Sequence, residues 1–365
     1  MSLDQDITFF YSDKIEHQTL EPIACEAADR GYQVRFTDRL LQRAEIGFYC
    51  QHLARPSRSK FSVAMLHDMA QRHCEWPNIW RLEPWDGFDL AILPGKAWAE
   101  RWQSASAHPY SRPRHGVYEL GWPKADSASS STEKDGEKKA KLRKQLDLKH
   151  PQAVLYAPSW ENDGKQDTFV QSLKDLPVDL LLKQAPWPES YPQVLRSIAE
   201  MNSLHADAGD NVHIIDPDLN IFDCLLLADI VVSEESSVLL EGLLRNVPSI
   251  SGDDWLIPDT KPPRPPSFPF DFTSKTTIAN LEKTVLEMLD RLDRERSVTE
   301  QNVRNHFSNI GGSSKLVIDV IDHHVKGSPL DLAPVEPTQS LTSVPLMNRL
   351  DRLARSTYFL LKYSI

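Results

Sequence analysis

Two adjacent serines, Ser236 and Ser237, separate a short apolar run from a second apolar run at helical spacing. Residues 230–232 (IVV) are typical of a buried parallel strand, and residues 238–244 (VLLEGLL) are typical of a helix. A serine-rich turn at this point gathers hydroxyl groups and the N–H groups of the first helical turn, which together can bind a phosphate. The helix dipole adds about 0.3–2 kcal/mol for an anion there. Simple capping of the helix by Ser236 is the alternative interpretation.

Two further candidates follow predicted strands in the second half of the chain. Ser159 comes after the apolar residues 153–157, and its hydroxyl with the neighbouring N–H groups is a second candidate for phosphate binding. An ordinary turn residue is the alternative for Ser159. Lys183 ends the apolar run 180–183, where its charge could neutralise a leaving nucleotide. A solvated strand end is the alternative for Lys183.

His67 is the candidate general base in the first half of the chain. It directly follows residues 61–66, which are typical of a strand. An imidazole with an ordinary pKa of about 6.5 suits the removal of a proton from an acceptor hydroxyl. A structural histidine, hydrogen-bonded beneath a loop, is the alternative. We assign Asp68 and His17 to the acceptor side, His17 because it follows the first predicted strand.

The elements that must position these residues alternate between strand and helix. Residues 20–30, with apolar side chains at helical spacing, lie between the first two predicted strands. Right-handed crossovers then imply doubly wound parallel sheets, which bind ligands at the carboxyl ends of their strands. The predicted strands are residues 7–11, 33–36, 46–49, 61–66, 90–93 and 117–120, and then 153–157, 180–183, 212–215 and 230–232.

Length and composition divide the chain into five parts. With 365 residues, two domains are the natural expectation. Residues 125–137 are serine-rich, charged and free of large apolar side chains, which is typical of a linker. The predicted parts are a first Rossmann-like domain (1–124), a linker with a short helix (125–150), a second Rossmann-like domain (151–325), a flexible tether (326–344) and an amphipathic helix (345–365).

The predicted C-terminal helix combines an apolar face with a basic one. Leu346, Leu350 and Leu353 fall on the apolar face, whereas Arg352 and Arg355 lie opposite. A basic amphipathic helix in an acidic protein is the pattern of an anchor at a membrane surface. Packing on the protein's own body, or on a second subunit, is the alternative.

Charge and cysteine usage exclude several classes of protein. The net charge of −11 argues against a general nucleic-acid binder, which needs a basic face. The four cysteines form no CxxC pair, and the N-terminus is acidic rather than a signal peptide, so we predict a cytoplasmic protein. The adjacent His323 and His324 cannot chelate from one helix face, and we predict neither a metal site nor a cofactor.

Six short motifs, in order, resemble those of the CDP-glycerol glycerophosphotransferase family, which includes teichoic-acid polymerases. They span about residues 60–320 and do not include the first 50 residues or the tail. The motifs are VAMLHDMA (63–70), FDLAILP (88–94) followed by WAER (98–101), GWPKAD (121–126), VLYAPSW (154–160), the segment from residue 228 to 252 around the two serines, and NIGGSSKLVID (309–319).

The resemblance implies a GT-B-like architecture, with two Rossmann-like domains facing a cleft. The first domain would bind the acceptor and the second the donor nucleotide. Ser236 and Ser237 would bind the donor diphosphate, Glu241 the ribose hydroxyls, and His67 would prime the acceptor. The implied reaction moves a polyol phosphate such as glycerophosphate from a CDP-linked donor to a cell-envelope glycan or lipid-linked acceptor. It would take place at the inner face of a bacterial cytoplasmic membrane.

This chain departs from the family pattern at several positions. Asp68 replaces the glycine of a His-Gly pair, and Ala185 stands where the family has a second histidine in K-x-H-P. An Asp-Tyr pair becomes Glu234 and Glu235. Both would repel a diphosphate if they faced it, so we expect one of them to be solvent-exposed or hydrogen-bonded away. Two alternatives stay open: a GT-B glycosyltransferase that uses a nucleotide sugar, and a non-catalytic binding protein that retains the fold.

Overall fold

The computed structural model describes residues 5–50, 55–66, 68–70, 85–128, 132–267 and 270–343, with residues 346, 347, 349, 350, 352–354 and 357. The strands of the first sheet are β1 (Asp6–Phe10), β2 (Gln33–Thr37), β3 (Ala44–Cys50), β4 (Ser59–Met65), β5 (Leu90–Leu93) and β6 (Val117–Glu119). The strands of the second sheet are β7 (Ala153–Tyr156), β8 (Asp179–Lys183), β9 (Val212–Ile215), β10 (Ile230–Ser233), β11 (Ser249–Gly252) and β12 (Ser274–Thr276).

The α-helices alternate with these strands. They are α1 (Lys14–Asp29), α2 (Lys96–Ala105), α3 (Thr132–Gln145), α4 (Lys165–Leu173), α5 (Pro192–His205), α6 (Ile221–Leu227), α7 (Val238–Leu244), α8 (Leu281–Asp290), α9 (Leu292–His306) and α10 (Ser313–Lys326). Short 3-10 helices lie at Pro56–Arg58, Trp85–Gly87, Pro109–Ser111, Pro123–Ala128 and Ile278–Asn280.

Both sheets are parallel and doubly wound, which confirms the predicted fold class. The first has the strand order β2-β1-β3-β4-β5-β6 and the second β12-β11-β10-β7-β8-β9. The second order reverses between β7 and β10, and such a switch point is where open α/β sheets bind their ligands. Strands β7, β8 and β10 are wholly buried, as expected for parallel strands covered by helices on both faces.

The chain divides into two compact units that differ from the predicted domains. The first unit contains residues 1–129 and 305–365, and the second contains residues 130–304. Helix α10 was expected in the second domain but belongs to the first unit, where Arg30 on the C-terminal side of α1 pairs with Asp319 at 2.5 Å. The predicted linker is also shorter than expected, because α3 begins at Thr132.

Two of the family-like motifs meet at the start of α10. Asp126 from GWPKAD accepts hydrogen bonds from the backbone N–H groups of Ser313 (3.1 Å) and Ser314 (2.6 Å), and so caps this helix. Gly121 has a φ of +99°, and a Cβ there would lie 2.1 Å from Ser313 Oγ. These two motifs therefore serve the packing of α10 in the first unit.

The segment that follows α10 was predicted to be a flexible tether, but it is hydrogen-bonded to the first unit. Val335 donates its N–H to the carbonyl of Val117 at 2.7 Å, beside the edge strand β6. Thr342 donates its N–H to the carbonyl of Ala107 at 2.8 Å. Among the residues described, no helix has both the length and the apolar character needed to cross a bilayer.

Candidate active site

The turn between β10 and α7 carries the two predicted phosphate-binding serines. Ser237 is the N-cap residue of α7, and Ser236 Oγ accepts a hydrogen bond from the N–H of Val238, the first residue of the helix, at 3.2 Å. A serine hydroxyl that accepts in this way still has its own hydrogen to donate. Ser236 and Ser237 are both partly exposed at the carboxyl end of β10, beside the switch point. The turn is thus compatible with capping and with anion binding together.

Glu234 is fully buried beside this turn, and five hydrogen bonds converge on its carboxylate. The donors are Ser159 N (2.9 Å), Ser159 Oγ (2.9 Å), Trp160 N (3.1 Å), Lys165 Nζ (2.9 Å) and Ser233 Oγ (3.1 Å). Burial favours the protonated acid, but the charge of Lys165 and the backbone donors hold the pKa of Glu234 below its usual value. The carboxylate is therefore ionised and joins β10 to the loop after β7.

This arrangement changes the interpretation of Ser159. Its backbone N–H and its hydroxyl both donate to Glu234, so the loop after β7 surrounds an internal carboxylate. Lys183 is 5% exposed, and its ammonium donates to the carbonyls of Gln184 (2.9 Å) and Pro217 (2.8 Å). The alternative of a solvated strand end for Lys183 is therefore wrong. Both residues use their donors to hold the carboxyl edge of the second sheet together.

The second acid of the turn is also directed into the protein. Glu235 is 7% exposed and binds the guanidinium of Arg264 through both carboxylate oxygens, at 2.8 and 2.9 Å. Arg264 also binds Asp259 at 2.7 Å, and these two acids raise its pKa against the effect of burial. Glu235, like Glu234, is therefore hydrogen-bonded within the protein, whereas this was expected of one of the two acids. Glu241, the predicted ribose contact on α7, is 2% exposed, so the alternative of an exposed helix charge is wrong.

Sequence reasoning missed an aromatic cluster at the ends of β7 and β8. The ring of Trp160 lies 4.7 Å from that of Trp187, and Trp187 lies 5.0 Å from Tyr191, between ring centroids. Trp160 and Trp187 are partly exposed, and Tyr191 is 44% exposed. The signal available in the sequence was the spacing of the two strand ends, because Trp160 and Trp187 each follow the last residue of their strand by four positions.

A buried polar network lies next to these rings. Glu161 is 1% exposed and accepts hydrogen bonds from the hydroxyl of Tyr156 (2.6 Å) and from Nε2 of Gln184 (2.9 Å). Burial raises the pKa of Glu161, although these donors oppose the shift. Gln184 also donates to Gln166 at 2.8 Å. The network holds the side chain of Gln184, which directly precedes Ala185, where the family's second histidine is replaced.

Two of the candidates of the first unit, Asp68 and His17, have local contacts in the structure. His67 lies outside the described residues. The carboxylate of Asp68 accepts from the N–H of Ala70 at 2.9 Å, which forms a local turn. His17, assigned to the acceptor side, lies in the first turn of α1, and its ring stacks on Phe36 at 4.2 Å. Within the part of the chain described, no group of three His, Cys, Asp or Glu side chains could hold a metal ion.

Comparison with known proteins adds to this geometry. The family model for CDP-glycerol:poly(glycerophosphate) glycerophosphotransferase matches residues 64–309. No curated protein sequence matches the chain. Among solved structures, a variant of the wall teichoic acid polymerase TagF soaked with CDPG is similar, with a TM-score of 0.62 and 15% identity over 88% of this chain and 89% of that one.

Two other solved structures share the fold at lower similarity. A glycosyltransferase from Rickettsia africae has a TM-score of 0.51 and 10% identity, covering 89% of this chain and 100% of that one. HepE from Anabaena, in complex with UDP-glucose, has a TM-score of 0.52 and 12% identity, covering 87% of this chain and 99% of that one. At these identities the structural similarity establishes the fold, which is of the GT-B type.

Proposed function

We infer the activity of this chain from its family: the chain belongs to the CDP-glycerol:poly(glycerophosphate) glycerophosphotransferases, whose family model matches residues 64–309. It is a transferase of that class. We propose that it moves a polyol phosphate such as glycerophosphate from a CDP-linked donor to a glycan or lipid-linked acceptor of the cell envelope. The observation that carries this proposal is the family match, which extends from β4 of the first unit through the whole second sheet.

The proposed step is attack of an acceptor hydroxyl on the donor phosphorus that bears the polyol. A new O–P bond forms, the bond from that phosphorus to the bridging oxygen breaks, and CMP leaves. His67 takes the proton of the acceptor hydroxyl. Ser236 and Ser237 bind the diphosphate at the carboxyl end of β10, and Glu241 contacts the ribose. Positioning and charge stabilisation supply most of the catalysis in phosphoryl transfer.

Ser159 and Lys183 have a supporting role in this proposal. Their donors are directed to Glu234 and to backbone carbonyls, so they support the loops around the donor rather than bind its phosphates. Ala185 replaces the family's second histidine, so the part of the site that would bind the donor phosphates has one cationic side chain fewer. That loss is the observation that favours the second candidate, a glycosyltransferase that uses a nucleotide sugar.

Nucleotide binding and turnover test the proposal. We expect CMP and CDP to stabilise the protein, by about 2.7 kcal/mol at a hundredfold excess over Kd. We also expect CMP to be released from CDP-glycerol when an envelope acceptor is present. Stabilisation by UDP or GDP alone would favour the nucleotide-sugar alternative. Stabilisation by no nucleotide would leave the non-catalytic binding protein as the correct interpretation.

We also propose that the C-terminal residues bring the enzyme to the inner membrane surface. Leu346, Met347, Leu350 and Leu353 are 49–69% exposed in the first unit. Arg352 instead contacts the protein, pairing with Asp86 at 3.0 Å and lying over the ring of Tyr110 at 4.3 Å. Apolar side chains that remain exposed beside a fixed basic residue support an interfacial anchor.

Removal of residues 345–365 is expected to abolish co-sedimentation with anionic vesicles while turnover of a soluble acceptor is unchanged. Each leucine that is fully buried in a bilayer interface contributes about 1.5–3 kcal/mol, so replacing Leu346, Leu350 and Leu353 by serine should weaken binding by about a thousandfold or more. Leu204→Ser, at an exposed position on α5, is the matched control. Equal sedimentation of the truncated and full-length proteins would rule out the anchor.

A further inference from the structure

We propose that Trp160, Trp187 and Tyr191 form a stacking platform for the nucleobase of the donor. This inference rests on the proposed function, because it assigns one part of the donor to a surface of the second unit. The platform lies at the carboxyl ends of β7 and β8, and Trp160 follows the strand that borders the switch point. Such edges are where open parallel sheets bind nucleotides.

The backbones that carry Trp160 and Trp187 are hydrogen-bonded within the second unit. The N–H of Trp160 donates to Glu234 at 3.1 Å, and its carbonyl accepts from Lys165 Nζ at 3.0 Å. The N–H of Trp187 donates to the carbonyl of Ala185 at 2.9 Å. A platform that is already ordered loses little conformational entropy when a ligand stacks on it.

The platform and the proposed phosphate site follow neighbouring strands of one sheet. The strand order places β10, β7 and β8 side by side, so that neighbouring strand ends are separated by about 4.8 Å. The loop that carries Trp160 is tied to the serine turn directly, because Glu234 lies two residues before Ser236.

The chemistry of the surface favours a base over the other parts of the donor. A polyol phosphate offers no planar ring, whereas every nucleobase has a π-face that stacks on aromatic side chains. The three rings are in mutual contact, with Trp160 and Tyr191 6.0 Å apart between centroids, yet Tyr191 remains 44% exposed. Stacking depends on the planar face of a base and not on the hydrogen-bonding groups at its edge. The platform should therefore accept cytosine and uracil alike.

Calorimetric titration of the full chain with CMP, UMP, GMP and ribose 5-phosphate tests the platform. We expect Trp187→Ala to weaken CMP binding by about 5- to 150-fold, and to leave ribose 5-phosphate binding unchanged. Trp187→Phe should retain most of the affinity, because a smaller ring still stacks. Tyr191→Ala should weaken CMP binding in the same way, and Leu204→Ala on α5 is the control for loss of an exposed apolar side chain.

Each outcome separates this inference from the proposed function. Unchanged CMP affinity in both alanine variants overturns the platform and leaves the CDP-linked donor intact. Equal weakening of CMP and ribose 5-phosphate also overturns it, because the change then acts on the loop and not on the base. If the wild type binds UMP or GMP in place of CMP, and Trp187→Ala weakens that binding, the platform stands and the CDP-linked donor does not.

Discussion

Replacement of Glu234 by alanine is expected to destabilise the second unit by about 3–5 kcal/mol, the usual effect of breaking a buried ion pair. The reason is that Lys165 is 2% exposed and would lose the carboxylate 2.9 Å away that compensates for its burial. The N–H groups of Ser159 and Trp160 would lose their acceptor at the same time. Hydrogen exchange of strands β7 and β10 measures this loss within the second unit alone.

Two further variants separate the charge from the shape of this site. Glu234→Gln keeps the size of the side chain and should lose part of the stability, because the amide cannot neutralise Lys165. The double variant Glu234→Leu with Lys165→Met removes both charges and should be more stable than Glu234→Ala, yet below wild type, because the N–H groups of Ser159 and Trp160 still lack an acceptor. A loss below about 1 kcal/mol in Glu234→Ala would show that the buried pair is not what joins the two loops.

Replacement of His67 by alanine is expected to lower kcat by about 10²–10⁴-fold, the usual contribution of a general base, with little change in the KM for CDP-glycerol. The prediction follows from the residue type, from its position after a predicted strand, and from the family match, which begins at residue 64. Added imidazole should restore part of the rate in the alanine variant. Single-turnover release of CMP from CDP-glycerol measures the chemical step.

His17→Ala is the matched control for this experiment. Both histidines were predicted on the acceptor side of the first unit, but the ring of His17 packs on Phe36 and Tyr11. We therefore expect His17→Ala to change kcat by less than about tenfold, through packing alone. A His67→Ala enzyme that turns over at the wild-type rate would remove the imidazole from the mechanism and leave positioning as its main source of catalysis.

The fold could be predicted because parallel sheets leave a strong local pattern. Buried strands appear as short apolar runs, and the predicted residues 230–232 and 180–183 differ from β10 and β8 by a single residue each. The return of α10 to the first unit could not be predicted in this way. It depends on Asp126 meeting Ser313 and Ser314, a contact between residues nearly 190 positions apart.

The candidate site was predictable in its residue types and less so in its contacts. The two serines were found because a helix start has a local signature. That Ser159 would donate to Glu234, 75 residues away, has no local signal, since a serine pointing at a phosphate and one pointing at a carboxylate look alike in sequence. For Trp187 the equal spacing from the strand ends was a signal, but its contact with Trp160 depends on β7 and β8 being neighbours in the sheet.

The discontinuous make-up of the first unit has a consequence for its biosynthesis. Its first 129 residues leave the ribosome well before residues 305–365, with the whole second unit in between. At about 5–20 residues per second, synthesis of residues 130–304 takes about 9–35 s, during which the second unit can fold by itself. Asp126 contacts Ser313 and Ser314 only after that delay. Residues 1–129 therefore remain incompletely packed for the longest time and are the part of the chain most in need of chaperone protection.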